Sequence, residues 1–138
     1  MPHLKYTIVA VASLLVAACD TPGSDMSSAT ALQGGEWTIE DIGGQGVIDN
    51  SPASLLFEAD GRLSGNSSCN RLIASYSVNG DKLTISPAGT TMMACPPALM
   101  DQEQKLVALL GQVESFRTDQ TGTLVLTTAS GKKIVARR

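Results

Sequence analysis

Apolar and polar positions alternate along most of the chain. In "EWTIEDI", Trp37 and Ile39 share one face. In "SLLFEA", Leu55, Phe57 and Ala59 do the same, and Asp60-Gly61 turns the chain into "RLSG". "LIASYSV" brings Leu72, Ala74, Tyr76 and Val78 to one side, Asn79-Gly80 signals a tight hairpin, and "DKLTI" returns with Leu83 and Ile85. "TLVLTTASGKKIVAR" reads as a second hairpin about Ser130-Gly131. With "ESFRT" the pattern predicts about eight short strands, and closely spaced hairpins favour a barrel or sandwich over a parallel sheet.

One segment has a different period. "ALMDQEQKLVALLGQV" places Leu106, Leu109, Leu110 and Val113 at i, i+3, i+4 and i+7, one face of a helix. Pro96 and Pro97 suit its start. That face needs a core to cover it, and the side or end of the barrel supplies one. The expected architecture is mainly β with one α-helix: a small antiparallel barrel of about eight strands packed on that helix.

The first residues follow another pattern. "MPHLKYTIVAVASLLVAAC" carries Lys5 and then an apolar run of about eleven residues, where a spanning helix needs roughly 20. It fits a secretory signal peptide. Its end, Val16-Ala17-Ala18-Cys19, resembles the bacterial lipobox, which implies cleavage before Cys19 and diacylglycerol on its sulfur. Asp20 resembles the inner-membrane retention signal of enterobacterial lipoproteins, and the choice between inner and outer membrane stays open. "DTPGSDMSSATA" has no apolar period and reads as a flexible tether, spanning roughly 20 Å. The organisation is therefore a signal peptide over 1–18, a lipidated cysteine and tether over 19–33, and one domain over 34–138. The expected place is the periplasmic side of a bacterial envelope membrane, held by the anchor at Cys19.

Composition narrows the chemistry. Hydrophobic residues make up 43% and aromatics 4%, so Leu, Val, Ile and Ala must build the core. Without Lys5, nine basic and thirteen acidic residues remain, a net −4, which argues against a nucleic-acid partner. The one histidine is His3, inside the signal peptide. Nucleophile pairs that need histidine are thereby removed, and two cysteines beyond Cys19 are too few for a structural zinc. No metal, cofactor or catalytic residue is expected, and the protein reads as a non-enzyme.

Weaker signals take structural readings. Ser130 and Lys133 spell S-x-x-K on a hairpin turn. Glu40 and Asp41 point to opposite faces of a strand, while Glu58 and Asp60 adjoin a turn and face solvent. Met92 and Met93 diverge on an extended segment and suit packing better than copper(I). Asn66-Ser67-Ser68 matches a glycosylation pattern by chance. Lys132, Lys133, Arg137 and Arg138 form a mild basic, solvated end.

Cys69 and Cys95 are left. Export places them in an oxidising compartment, where one bridge is favoured over two free thiols. A loop of about 26 residues implies roughly 3–4 kcal/mol by the chain-entropy model.

"LSGNSSCNRLIASYSVNGDKLTI", "TTMMAC", a helix and two final strands together resemble the META domain (HslJ-like) family, from about Gly34 to the C-terminus. The motif residues are Cys69-Asn70, Ser75-Tyr76, Met93 within the Thr-x-Met-Ala-Cys run, and Trp37 on the first strand. The resemblance implies a cone-like barrel with one helix, a Cys69–Cys95 disulfide, and no established enzyme activity. It implies an envelope protein linked to heat shock, antibiotic tolerance or motility. The chain departs from the family pattern with Ser68 and Ala74 where glycine is common, and with Met92 where arginine is common. The expected role is structural or protein-binding, by a monomer with an envelope partner. The alternative is a carrier of a small apolar ligand inside the barrel.

Overall fold

The computed structural model describes residues 24–138, so the signal-peptide segment 1–18 and Cys19 lie outside the described residues. The elements in order are α1 (Ser24–Leu32), β1 (Trp37–Ile42), β2 (Ser54–Phe57), β3 (Arg62–Asn66), β4 (Arg71–Asn79), β5 (Lys82–Ile85), β6 (Gly89–Thr90), α2 (Pro97–Leu110), β7 (Val113–Thr118), β8 (Leu124–Thr128) and β9 (Lys133–Arg137). All strand pairs are antiparallel, in the order β3-β2-β1-β9-β8-β7-β5-β4. A β3–β4 pairing, Arg62↔Ser75 through Asn66↔Arg71, closes these eight into a barrel. The two-residue β6 adds to β4 outside the closed ring, through Leu72↔Thr90 and Ile73↔Gly89.

The alternating residues fill the interior. Trp37, Ile39, Leu55, Phe57, Leu63, Leu72, Leu83, Leu124, Leu126 and Ile134 are buried in one cluster with Leu106, Leu109 and Leu110 of α2. In β1 the register slips between Ile39 and Asp41. The slip turns Ile42 inward beside Ile39, although three residues would otherwise put them on opposite faces. On β4 the alternation holds, but only Leu72 is buried. Ala74, Tyr76 and Val78 are half-buried, and Ala59 is exposed in the β2–β3 turn rather than facing inward beside Phe57.

Antiparallel pairing assigns each turn to an end of the barrel. The β2–β3 turn, the β7–β8 turn, the start of β1 and the end of β9 gather at one end, with α1. The loop after β1, the β3–β4 turn and the β8–β9 turn gather at the other, with α2.

Three further expectations change. First, the 19–33 tether is not free of structure, because α1 occupies most of it. "SDMSSATAL" has no apolar stripe, so helicity there is imposed from a distance. Leu32 is fully buried, and the Trp37 indole N–H donates to its carbonyl at 2.8 Å. The Arg138 guanidinium donates to the carbonyls of Gln33 and Ala31 and lies 4.2 Å from the Trp37 ring centroid. Second, α2 stops at Leu110, with Gly111 as its cap, and Val113 begins β7. Val113 is still buried, now from a strand. Third, Met92 and Met93 do not pack. They are 97% and 61% exposed, because the Thr91–Cys95 segment meets the protein through the Thr91 hydroxyl, the Met93 backbone and the Cys95 sulfur, which leaves both thioethers turned to solvent.

Candidate functional site

At the α2 end the β3–β4 turn carries four buried consecutive residues, Ser67, Ser68, Cys69 and Asn70. Burying this much polar surface requires partners for every group. Two helix residues and the rim segment provide them. Glu103 Oε1 accepts from the Ser67 hydroxyl and from the Asn70 backbone N–H at 3.0 Å, and its Oε2 accepts from Asn70 Nδ2 at 2.9 Å. Asn70 Oδ1 accepts from the Met93 N–H at 2.6 Å and from the Thr91 hydroxyl at 3.2 Å. The Asn70 carbonyl accepts from the Ser67 N–H at 2.8 Å. One asparagine thus joins the turn, the rim segment and α2.

Gln102 makes the second tie. Its Nε2 donates to Ser51 Oγ at 2.7 Å and Ser68 Oγ at 3.0 Å, and its Oε1 accepts from the Ile48 N–H at 2.9 Å. The loop after β1 is thereby held to α2. Among the described residues no buried side-chain polar atom lacks a partner. Burial pushes the Glu103 carboxyl up, but the hydrogen bonds from the Ser67 hydroxyl and from the Asn70 amide and backbone outweigh it. The net effect holds Glu103 below the usual carboxylate range.

Cys69 and Cys95 sit beside this cluster at disulfide distance, with sulfurs 2.04 Å and Cα atoms 5.9 Å apart. The pair fastens the β3–β4 turn to the residue before Pro96, where α2 begins. Ser68, between the cluster and the cysteine, has φ +114°. That backbone state favours glycine. Serine holds it here with its hydroxyl accepting from Gln102, which explains how this chain keeps the turn where glycine was expected.

The motif residues divide between the two ends. Cys69, Asn70, Met93 and Cys95 meet at the α2 end, with Met93 contributing its backbone and not its thioether. Trp37 and Tyr76 belong to the α1 end. The Tyr76 hydroxyl donates to the Glu58 carbonyl at 2.7 Å and accepts from Gln33 Nε2 at 2.9 Å, and its ring meets Phe57 edge-on at 5.0 Å. The turn carboxylates Glu58 and Asp60 both pair with Arg62, at 2.9 and 2.8 Å. Ser51, Gln102 and Glu103 were not singled out by the sequence, while Ser67 entered only in a chance glycosylation pattern and Thr91 only as the first residue of the Thr-x-Met-Ala-Cys run. Gln102 alone left a signal, as a polar residue four before Leu106 on the apolar stripe of the helix.

Two surface grooves flank the α2 end. One runs beside the cysteine pair between Ser64, Arg71 and Met93, and one lies between the loop after β1 and α2, near Gln45, Asp101 and Lys105. Among the described residues no group of three or more metal-ligating side chains converges, and no helix is long and apolar enough to cross a membrane.

The arrangement defines a small closed β-barrel with a packed interior and a helix fastened across one end by a polar clamp and a cysteine pair. The META domain family model matches residues 30–138, and the chain belongs to that family. A protein from Burkholderia xenovorans solved by NMR shares the fold, with a TM-score of 0.64 and 21% identity over 93% of this chain and 98% of its own. A second NMR structure gives 0.62 and 23% over 79% and 92%. Comparison with curated proteins finds no match.

Proposed function

We propose that this is a monomeric envelope lipoprotein, anchored through Cys19 on the periplasmic side of a bacterial membrane. Its META domain acts as a non-catalytic structural or protein-binding module in envelope stress tolerance. The observation that carries this reading is the use made of the polar residues at the α2 end. Glu103, Asn70 and Gln102 each spend their hydrogen bonds on holding one turn, one rim segment and one loop to the helix. Such groups build a rigid surface rather than a reactive centre. The barrel interior is filled by Leu63, Leu72, Leu83, Leu106 and Leu126 from all sides, which favours a scaffold over a carrier of an apolar ligand.

Crosslinking in intact cells followed by mass spectrometry tests the role. Recurrent crosslinks from the α2 end to one envelope protein are expected. A protein crosslinked to nothing, yet purified with a bound apolar molecule, would establish the carrier instead. Labelled palmitate tests the anchor: the wild type should incorporate it and Cys19→Ser should not.

A further inference from the structure

The Thr91–Cys95 segment fixes its backbone and leaves two methionine side chains in water. The Met93 N–H donates to Asn70 Oδ1 at 2.6 Å, and the Met93 carbonyl accepts from Asn70 Nδ2 at 3.4 Å. Ahead of the pair, the Thr91 N–H donates to the Arg71 carbonyl at 3.1 Å, and Thr91 Oγ1 accepts from the Arg71 N–H at 3.0 Å. Behind it, Cys95 is joined to Cys69. Met92 is 97% exposed and Met93 61%, whereas Met100, in the first turn of α2, is 39% exposed. The pair lies between β6 and α2, outside any regular element.

We propose that Met92 and Met93 form a reversible oxidation site, which takes up oxygen from hydroperoxides and gives it back to a sulfoxide reductase while the domain stays folded. A thioether needs no deprotonation to react, so access to its sulfur governs the rate. In the forward step the sulfur attacks the hydroperoxide oxygen. The S–O bond forms as the O–O bond breaks, sulfur loses two electrons, and water leaves, or an alcohol from an organic hydroperoxide. In the return step a reductase dithiol supplies two electrons and becomes a disulfide, and the oxygen leaves as water. An exposed thioether on a segment without helix or strand can enter a reductase active site as readily as it meets the oxidant. A sulfoxide is polar and disrupts a core in which the thioether was packed. Here it would stand in solvent, and the hydrogen bonds and disulfide that hold the segment start from other atoms. Oxidation therefore changes the polarity of this surface without unseating its backbone. The same chemistry holds with or without a lipid on Cys19.

The test is a timed exposure of the mature protein to hydrogen peroxide, quenched with catalase. After reduction and alkylation, fragment spectra of the tryptic peptide over 83–105 assign oxygen to each sulfur, since Pro96 and Pro97 separate the pair from Met100. Met92 should react first, Met93 next, and Met100 several-fold more slowly than Met92. Reductases for the two sulfoxide epimers, supplied with a dithiol, should return both residues to thioether in the folded protein. The urea midpoint, followed by the fluorescence of the buried Trp37, is measured before and after peroxide in the wild type and in a Met92→Leu/Met93→Leu variant. Peroxide should shift the two midpoints equally, because oxygen on the pair costs the fold nothing. Met100 keeping pace with Met92, or sulfoxides at 92 and 93 that the reductases repair only after digestion, would overturn the proposal. So would a midpoint that peroxide lowers in the wild type and not in the variant.

Discussion

Gly65 has φ +152°, and a Cβ built there would lie 2.1 Å from the carbonyl oxygen of Ser54 and 3.1 Å from Leu55 Cα. Both contacts are backbone atoms of the neighbouring strand, in the ladder Ser54↔Asn66 and Leu55↔Gly65. Gly65→Ala must therefore push β2 away from β3 by about 1 Å, because neither neighbour is a flexible side chain. Holding alanine in this backbone region costs roughly 1–3 kcal/mol. Weakening two ladder hydrogen bonds adds about 0.5–1.5 kcal/mol each. The sum is about 2–6 kcal/mol, a large part of the stability of a small domain. Gly122→Ala is the control. Gly122 has φ +79° with nothing within 4 Å of the added Cβ, so only conformational strain of about 1–2 kcal/mol applies. Urea unfolding followed by the Trp37 fluorescence gives both values on one scale. Equal midpoints for the two variants would refute the steric argument, and a Gly65→Ala protein as stable as wild type would refute the strand register as well.

Cys69→Ala and Cys95→Ala should each lower stability by about 3–4 kcal/mol, and the double variant should be no worse than either, since each removes the same crosslink; thermal melts on unreduced protein, with thiol counting after denaturation, decide it. Glu103→Gln should flatten the acid limb of the stability curve. The folded carboxyl titrates below its ordinary 4.5, so its contribution is present above that pH and lost as pH falls through the folded value. Urea midpoints between pH 3 and 7 measure the difference from wild type, and parallel curves would remove Glu103 from the clamp. Ser68→Gly should change stability by less than about 1 kcal/mol, because relief of the strained backbone offsets loss of the Gln102 hydrogen bond. A large loss in the urea midpoint would show that the hydroxyl dominates.

Much of the barrel was readable because its information is local. Alternation marked the strands, Asn79-Gly80 and Ser130-Gly131 marked two hairpins, the first with its turn one residue later at Gly80-Asp81 because Asn79 pairs with Lys82, and the 3.6-residue period of Leu106, Leu109 and Leu110 marked α2. The errors fall where a distant group decides. α1 carries no stripe of its own and exists as placed because Trp37 and Arg138, far along the chain, bind its last carbonyls. β6 is two residues long and is defined wholly by its pairing to β4. Val113 kept its burial and changed its element, because a four-residue spacing from Leu109 continues a helical face while Gly111 ends the helix between them.

The polar clamp shows the same limit more sharply. Asn70 was visible only as a motif residue beside a cysteine, with no partner in view. Its partners are Glu103, thirty-three residues later, and the backbone of Met93. Met93 carried the opposite lesson: a residue singled out for its side chain serves through its N–H, which any amino acid except proline supplies. Substituting Met93 should therefore leave the clamp intact, whereas substituting Asn70 removes donor and acceptor together. The rim segment would then lose the hydrogen bonds through which it meets the β3–β4 turn, leaving the cysteine pair as the main tie between them. The clamp and the crosslink secure the same seam by different chemistry, so their losses should be coupled. Removing either leaves the other to hold the turn, and removing both leaves the segment that leads into α2 tied only at its start, by the Thr91–Arg71 hydrogen bonds.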